Sequence, residues 1–296
     1  MSKSLLILSP DPANPYASGR WTGVLDEARK YMAGYDIVIE SQPWTADIDV
    51  TAWDLITPLI AWGYHQDPLN WIAAMQRLKM RGARLANPAE ILIWNTEKTY
   101  LRDLSERGVN IPLTLFVDGF GPAQLSEAWA TFGGDALVVK PTISAGAHKT
   151  LVIKAGSGVN FDEAPTGATM IQPFLPAVAE EGEWSLLFFG GAFSHALLKT
   201  PKAGDFRSQP DYGSRMLYKA PDADVLALAE QVLTIIDANL LYARLDITRD
   251  LNGVPCLMEA ELIEPDFFLA HAPEGGPNYA RAFARALGLA VVEAAG

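Results

Sequence analysis

Cysteine is almost absent: Cys256 is the only one in 296 residues, so no internal disulfide and no cysteine-based zinc site can form within the chain. Positive charge is scarce as well. Twenty-three Lys and Arg stand against 35 Asp and Glu, a formal net charge of −12. An acidic surface repels nucleic acid and anionic lipid, so neither is expected as a main partner, although a local lysine cluster can still hold a small anion such as a nucleotide. Long apolar runs are missing too. Leu5-Leu6-Ile7-Leu8 stops at Ser9-Pro10, too short for a secretory signal, and nothing approaches the roughly 18 apolar residues that span a bilayer. A soluble, cytoplasmic protein is expected. The Gly-Lys-Ser/Thr of a Walker-type loop is not found, nor is the Gly-x-Ser-x-Gly of an α/β-hydrolase.

What is present describes an ordinary globular chain. Hydrophobic residues make up 49%, charged residues 20% and aromatics 10%, which excludes disordered, collagenous and coiled-coil classes. The length suits one large domain, or two or three small ones around a shared site. Short β-like runs alternate with helical patterns through the first half, the signature of an α/β architecture. Strands are expected at 4–8, 35–40 and 54–61, with helices over 21–32 and from Asp67-Pro68 to about 81. Residues 95–107 carry helical periodicity with Tyr100, Leu101 and Leu104 on one face. A short strand at 114–117, a helix from Gly121-Pro122 to Gly133-Gly134, a strand at 136–140 and a return strand at 150–153 follow. The second half reads as antiparallel strands at 169–172, 183–190 and 192–199. After them come a helix over 222–238, a hairpin of 242–248 with 254–262 around Asn252-Gly253, and a closing helix over 278–287. The loop 200–214, rich in Lys, Arg, Gly and Asp, is too long for a plain connector.

Three places carry chemistry. The strand Leu137-Val138-Val139-Lys140-Pro141 ends in a lysine and runs into Thr142-Ile143-Ser144-Ala145-Gly146-Ala147, small residues whose backbone N–H groups can approach phosphate closely. A β-turn with a solvated lysine fits these residues equally well. In the hairpin, Arg244 and Asp246 share one strand face, and so do Glu259 and Glu261. Three carboxylates there repel one another unless a hard cation such as Mg²⁺ sits among them. The alternative is a polar face salt-bridged to Arg244; the apolar Leu245, Ile247, Leu257 and Met258 favour the metal. Finally, Gln172-Pro173-Phe174-Leu175-Pro176 leaves a strand at a proline, which frees backbone to face a ligand or simply crosses between domains.

Together these residues resemble the ATP-grasp superfamily, in its glutathione-synthetase-like branch, from about Asn95 to Pro265. The family's first nucleotide lysine is matched by Lys98 in Asn95-Thr96-Glu97-Lys98. Its second is matched by Lys140 before the flap that carries Ser144 and Gly146 and runs to Lys149. The adenine hinge is matched by Gln172, Phe174 and Leu175, and the ribose-binding acid by Glu183. The metal signature is matched by Arg244, Asp246, Glu259 and Glu261, with Glu261 where the family usually has Asn. Gly182-Glu183-Trp184-Ser185, Phe188-Phe189-Gly190-Gly191 and Leu262-Ile263-Glu264-Pro265 are similar to the subgroup that closes O-ureido-D-serine to D-cycloserine.

The resemblance implies an N-terminal α/β domain (1–94), a central subdomain with the flap (95–175) and a C-terminal subdomain with the metal site (176–296). The last two clamp ATP between antiparallel sheets. It implies an ATP-dependent carboxylate–amine ligase, a cyclo-ligase acting through an acylphosphate, with ATP and Mg²⁺ as cofactors (two ions, with Mn²⁺ an alternative). Its partners are then a small-molecule carboxylate and ATP, with no nucleic acid and no membrane; a homodimer stays open. Lys199 and Arg207, which bracket the long loop, are expected at the substrate carboxylate or γ-phosphate with Arg244. An intermolecular amino-acid or peptide ligase, an ATP-grasp kinase and a non-catalytic nucleotide-binding module are the competing readings. The four histidines have no zinc-ligand spacing; His195 and His271 read as surface or partly satisfied residues, and His148 lies in the flap within reach of phosphate. The tryptophans at 44, 53, 62 and 71 read as core packing, although Trp62-Gly63-Tyr64-His65 also suits a substrate pocket. The loop 9–20, with Asn14, Tyr16, Ser18 and Arg20, follows the first strand, where α/β domains place ligand contacts.

Overall fold

The computed structural model describes residues 2–146, 148–202 and 213–291. Three sheets organise it. The first joins β1 (Lys3–Ser9), β2 (Ile37–Pro43) and β3 (Leu55–Thr57) in the order β2-β1-β3, all parallel. Its central strand is covered on both faces, which is why Leu5-Leu6-Ile7-Leu8 is continuously apolar rather than alternating. Two helices flank it: α1 (Trp21–Met32) and α2 (Pro68–Met80). Pro68 occupies the first turn of α2, where no helical partner is lost, and Asp67 caps it by accepting from the Asn70 amide at 3.3 Å.

After α3 (Ala89–Trp94) and α4 (Tyr100–Glu106), the chain builds a four-stranded antiparallel sheet. It comprises β4 (Leu115–Val117), β5 (Ala136–Pro141), β6 (Leu151–Lys154) and β7 (Thr169–Pro173), ordered β4-β7-β5-β6, with α5 (Pro122–Phe132) against it. The short α6 (Ala177–Glu180) leads to a five-stranded antiparallel sheet of β8 (Glu183–Phe189), β9 (Ala192–Thr200), β10 (Arg215–Tyr218), β11 (Tyr242–Arg249) and β12 (Pro255–Glu261), ordered β10-β9-β8-β11-β12. α7 (Ala223–Ile236) packs on one face of this sheet, and α8 (Gly275–Ala286) packs near the other.

The cores show which units are joined. Leu5, Ile7 and Met32 share one apolar cluster with Leu187, Leu197, Tyr242 and Phe283, so the parallel sheet and the five-stranded sheet are fused through α1 and α8. The four-stranded sheet has a small core of its own, Ala128, Leu137, Val139, Ile153 and Ile171, while its Met170 and Phe116 pack into the core of the five-stranded sheet and α7. Asn87, fully buried, reinforces the fusion. Its side-chain amide donates to the carbonyls of Tyr242 and Leu262, and its oxygen accepts from the Leu241 amide at 2.7 Å.

Several local expectations need correction. The helix expected over 95–107 begins only at Tyr100, because Asn95 and Thr96 spend their side chains elsewhere: Asn95 bonds Ala260 and Leu262 of the five-stranded unit, and Thr96 bonds Leu92 and Trp71. The helix α3 was not foreseen. The third strand ends at Thr57, three residues long rather than eight, and β2 starts two residues later than expected. Residues from Arg215 form the unforeseen edge strand β10. His195 is not a surface residue: it is 1% exposed, with its ring nitrogens bonded to Ser194 Oγ and the Phe267 carbonyl. The satisfied half of that expectation holds. Trp44 and Trp71 do pack in the core, in edge contact with each other. Among the described residues no helix is long and apolar enough to cross a membrane.

Candidate active site

A cavity of about 810 Å³ opens between the two antiparallel sheets and reaches Ile7 of β1 and residues 59–65 beyond β3. Its size is that of a small-molecule site. Strand alternation supplies the charged lining. On β11, Ala243, Leu245 and Ile247 face the core under α7, so Arg244 and Asp246 face the other way, into the cavity. Across the hairpin, Arg244 pairs with Glu261 and Asp246 with Glu259. A bulge then leaves Met258 as the extra residue of β12, which returns Leu257 to the core and turns both Met258 and Glu259 into the cavity. On the other side of β11, Ser185 of β8 stands opposite Asp246 and donates its hydroxyl to it. Glu183 of β8 stands opposite Lys199 of β9.

The carboxylates do not simply repel one another, as the sequence suggested; each has a cation. Asp246 is 3.0 Å from Arg244 and 3.4 Å from Lys199. Glu183 is 2.5 Å from Lys199, Glu259 is 2.9 Å from Lys98, and Glu261 is paired with Arg244. Burial works against the charge of Asp246, but Arg244 and Lys199 outweigh it and hold its carboxyl down at about 2. Burial dominates at Glu261, with Asp246 and Glu259 adding to it against Arg244, and pushes its carboxyl up to about 8. Burial also raises Glu264 well above the carboxylate range, Glu261 adding to the effect.

The four-stranded sheet contributes Lys140, from the C-terminal end of β5. It has no hydrogen bond or ion pair among the described residues, and burial lowers its pKa, Lys98 adding to the effect while Glu259 and Glu183 oppose it. Lys98 is fixed from both sheets: its backbone N–H donates to Thr142, and its ammonium donates to the Ser144 carbonyl at 2.8 Å and faces Glu259. Gly146, with φ of +60°, takes the left-handed turn of the flap that a Cβ would strain. Gln172 donates to Thr114 at 2.9 Å, and the Phe174 N–H donates to the Ala136 carbonyl, so that amide serves the sheet edge rather than a ligand; Leu175 lines the cavity beside them.

Thus Lys98, Lys140, Ser144, Gly146, Gln172, Phe174, Leu175, Glu183, Lys199, Arg244, Asp246, Glu259 and Glu261 all line one cavity. Arg207 lies outside the described residues. Tyr16, Arg20, Trp62, Gly63, Tyr64 and His65 line the same cavity from the N-terminal side, whereas Asn14 instead bonds Gln66, and His148 is not in the lining. Glu27, Glu264 and Tyr279 also line it, and the sequence reading did not single out Glu27 or Tyr279. Each sits on an amphipathic helix or in a turn where nothing in the local pattern separates a cavity position from a core or surface one.

The acid set fits a magnesium ion in chemistry. Mg²⁺ takes hard oxygen donors, usually one or two carboxylates, and completes its shell with water and phosphate oxygens. Asp246, Glu259 and Glu261 offer such oxygens to one cavity. Their oxygens are turned to Lys98, Lys199 and Arg244, and among the described residues no three His, Cys, Asp or Glu side chains are already gathered as a metal site.

No family model matches the chain. The cycloserine biosynthesis protein DcsG of Streptomyces lavendulae is 27% identical to it, over 81% of this chain and 85% of that protein. The crystal structure of D-cycloserine synthetase DcsG superposes with a TM-score of 0.80 at 22% identity, covering 97% of this chain and all of that one. D-alanine–D-alanine ligase from Bacillus anthracis, complexed with ATP, gives a TM-score of 0.69 at 15% identity over 97% and 96% of the two chains. The ATP-grasp ligase PsnB, complexed with a precursor variant, Mg and ADP, gives 0.63 at 14% identity over 97% and 99%. Two antiparallel sheets facing each other over a lysine- and carboxylate-lined cleft, superposing along nearly their whole length on these ligases, identify the chain as one with the ATP-grasp fold, as its sequence motifs implied.

Proposed function

We propose that the chain is an ATP-dependent carboxylate–amine ligase that works through an acylphosphate and closes a ring on a small amino-acid-like substrate such as O-ureido-D-serine. The observation that carries this is the meeting of Lys98, Lys140, Lys199 and Arg244 with Asp246, Glu259 and Glu261 in one cavity between two sheets. In the first step a substrate carboxylate oxygen bonds to the γ-phosphorus of ATP and ADP leaves. In the second a nitrogen nucleophile bonds to the acyl carbon, phosphate leaves, and the nitrogen gives up its proton. The barrier is charge on the phosphoryl oxygens, so positioned cations are what the site must supply.

Lys98 and Lys140 are assigned to the α- and β-phosphates, with the Ser144–Gly146 turn over them. Gln172, Phe174 and Leu175 border the base, and Glu183 takes the ribose. Lys199, Arg244 and, from outside the described residues, Arg207 are assigned to the substrate carboxylate and γ-phosphate. Asp246, Glu259 and Glu261 would hold Mg²⁺, two ions in this reading, which neutralise charge between phosphates. The division into 1–94, 95–175 and 176–296 is part of the same proposal, the first segment choosing the substrate. A cavity of about 810 Å³ that must also hold the nucleotide leaves room for a small substrate rather than a large second acceptor, which supports ring closure.

The test is ADP release in the presence of Mg²⁺, with products identified by mass spectrometry. O-ureido-D-serine should yield ADP and a cyclic product without added amine. ADP formed only when a carboxylate and a free amine are both supplied would replace ring closure with intermolecular ligation. No ADP from any carboxylate, with ATP bound normally, would leave a nucleotide-binding module.

A further inference from the structure

We infer that the lobe of the cavity between α1 and α8 holds the ammonium group of the substrate, with the Glu27 carboxylate and the Tyr279 hydroxyl as its acceptors. A buried hydroxyl without a partner and a carboxylate without an ion pair come together there. Glu27, on α1, lines the cavity half-buried with no hydrogen bond or ion pair among the described residues. Tyr279, on α8, lines it as well at 1% exposure, and its hydroxyl has no hydrogen-bond partner. A buried hydroxyl without a partner forfeits its hydration, so a ligand that restores the bond gains what the empty fold lacks. The ring itself is held rigidly among Phe189, Phe267 and Phe283.

The charge of the lobe selects the ligand. Burial works against the charge of Glu27 and the like charge of Asp266 adds to it; Lys30 and His271 offset part of this, and Arg20 lies on the same lining. Glu183, Asp246, Glu259 and Glu261 each face a lysine or arginine, and of the lining acids without an ion pair among the described residues, Glu27, Glu264 and Asp266, it is Glu27 whose charge acts on the Tyr279 hydroxyl. Glu27 is therefore an acceptor left over from the nucleotide and metal chemistry. This inference rests on the ligase reading, which puts the substrate carboxylate at the cationic end, beside Lys199 and Arg244. A molecule with its carboxylate there and a cation at Glu27 is a zwitterionic amino acid, so the enzyme discriminates for an amino group that takes no part in the bond being made.

The experiment is calorimetric binding to the full chain with ADP and MgCl₂, using O-ureido-D-serine and 3-(ureidooxy)propanoate, which lacks only the ammonium. The wild type should bind the amino compound roughly tenfold to a hundredfold more tightly, the scale of one or two charge-assisted hydrogen bonds. Glu27→Gln and Tyr279→Phe should shrink that ratio while leaving ADP affinity unchanged, and Glu27→Asp should restore part of it. Tyr279→Phe removes only an unpartnered oxygen, so it keeps the fold and separates the inference from a folding defect. Equal binding of the two compounds by the wild type, a full ratio in both variants, or no binding of the amino compound overturns the inference. ADP release with a different carboxylate and amine would in that last case leave the ligase reading standing.

Discussion

Lys98 and Glu259 neutralise each other at 2.9 Å, although one is assigned to phosphate and the other to the metal that accompanies it. Without ligand, each is the other's countercharge; in the proposed reading, bound nucleotide and Mg²⁺ would give each a partner of its own. Breaking a buried pair by removing one member costs more than removing both, because one charge stays uncompensated. Lys98→Met and Glu259→Gln are each expected to destabilise the nucleotide-free protein by about 3 kcal/mol, the low end for breaking a buried pair because Glu259 is partly exposed. The double variant should lose less than the sum by at least about 1 kcal/mol. Urea unfolding of the four proteins measures this. Strict additivity would mean the contact carries no energy.

Lys140 should behave in the opposite way. It is a buried cation without an ion pair, and desolvation lowers its pKa. Lys140→Met should therefore leave the nucleotide-free protein as stable as before or more so, while ATP binding weakens by about 1.5–3 kcal/mol. Thermal unfolding together with ATP titration calorimetry decides it. Unchanged ATP affinity, or a large loss of stability, would make the lysine structural.

These two lysines show how much was legible. Lys140 could be singled out because it ends a β-branched strand before a turn of small residues, whereas Lys98 was reached only through the family resemblance of Asn95-Thr96-Glu97-Lys98. The carboxylates of the hairpin were found through strand alternation, which survives to the structure except for the bulge at Met258. The pairing of those carboxylates with lysines from β9 and the 95–99 turn was not legible, because register between distant segments leaves no local trace. The same limit hid Glu27 and Tyr279. It also explains the misread helix over 95–107: Asn95 and Thr96 fit a helical pattern, but tertiary hydrogen bonds to Ala260, Leu262 and Trp71 override it.

Glu261 gives the protein a pH dependence. Its carboxyl, raised by burial to about 8 from an ordinary 4.5, keeps its proton in the folded, ligand-free state at neutral pH. The unfolded chain releases that proton earlier as pH rises. Stability from this group is thus full below about 4.5, declines as pH rises toward about 8, and is level beyond. Glu261→Gln should remove that decline, so its melting temperature relative to wild type rises between pH 5 and about 8. A constant difference across the range would mean the group titrates normally. In the same variant turnover should fall far more than substrate affinity, with more Mg²⁺ needed for half-maximal rate.

His65 should stay neutral in mild acid. Burial first, then Lys98 and His148, lower its pKa to about 4 from 6.5, and its Nδ1 is buried without a partner. Nuclear magnetic resonance of the imidazole should show neutral-form shifts at pH 5.5, where an ordinary histidine is mostly protonated. The unfolded chain takes up the proton first as pH falls, so this group's contribution to stability is lost between 6.5 and about 4. Protonation of the ring above pH 6 would contradict the burial.

Asn87 has a consequence for movement. Its amide ties Leu241, Tyr242 and Leu262 to the N-terminal unit at the point where the shared core is continuous. The parallel and five-stranded sheets should then travel as a single block, while the four-stranded sheet has a small core of its own and would pivot about the contact that Met170 and Phe116 make with that block. On nucleotide binding the stroke would belong to the four-stranded sheet, which carries Lys140 and the 142–146 turn, and the block with Lys199, Arg244 and Asp246 would serve as its anvil. Hydrogen exchange should follow this division: nucleotide slows it in β5, β6 and the 142–146 turn, and leaves β1 and β11 as they were.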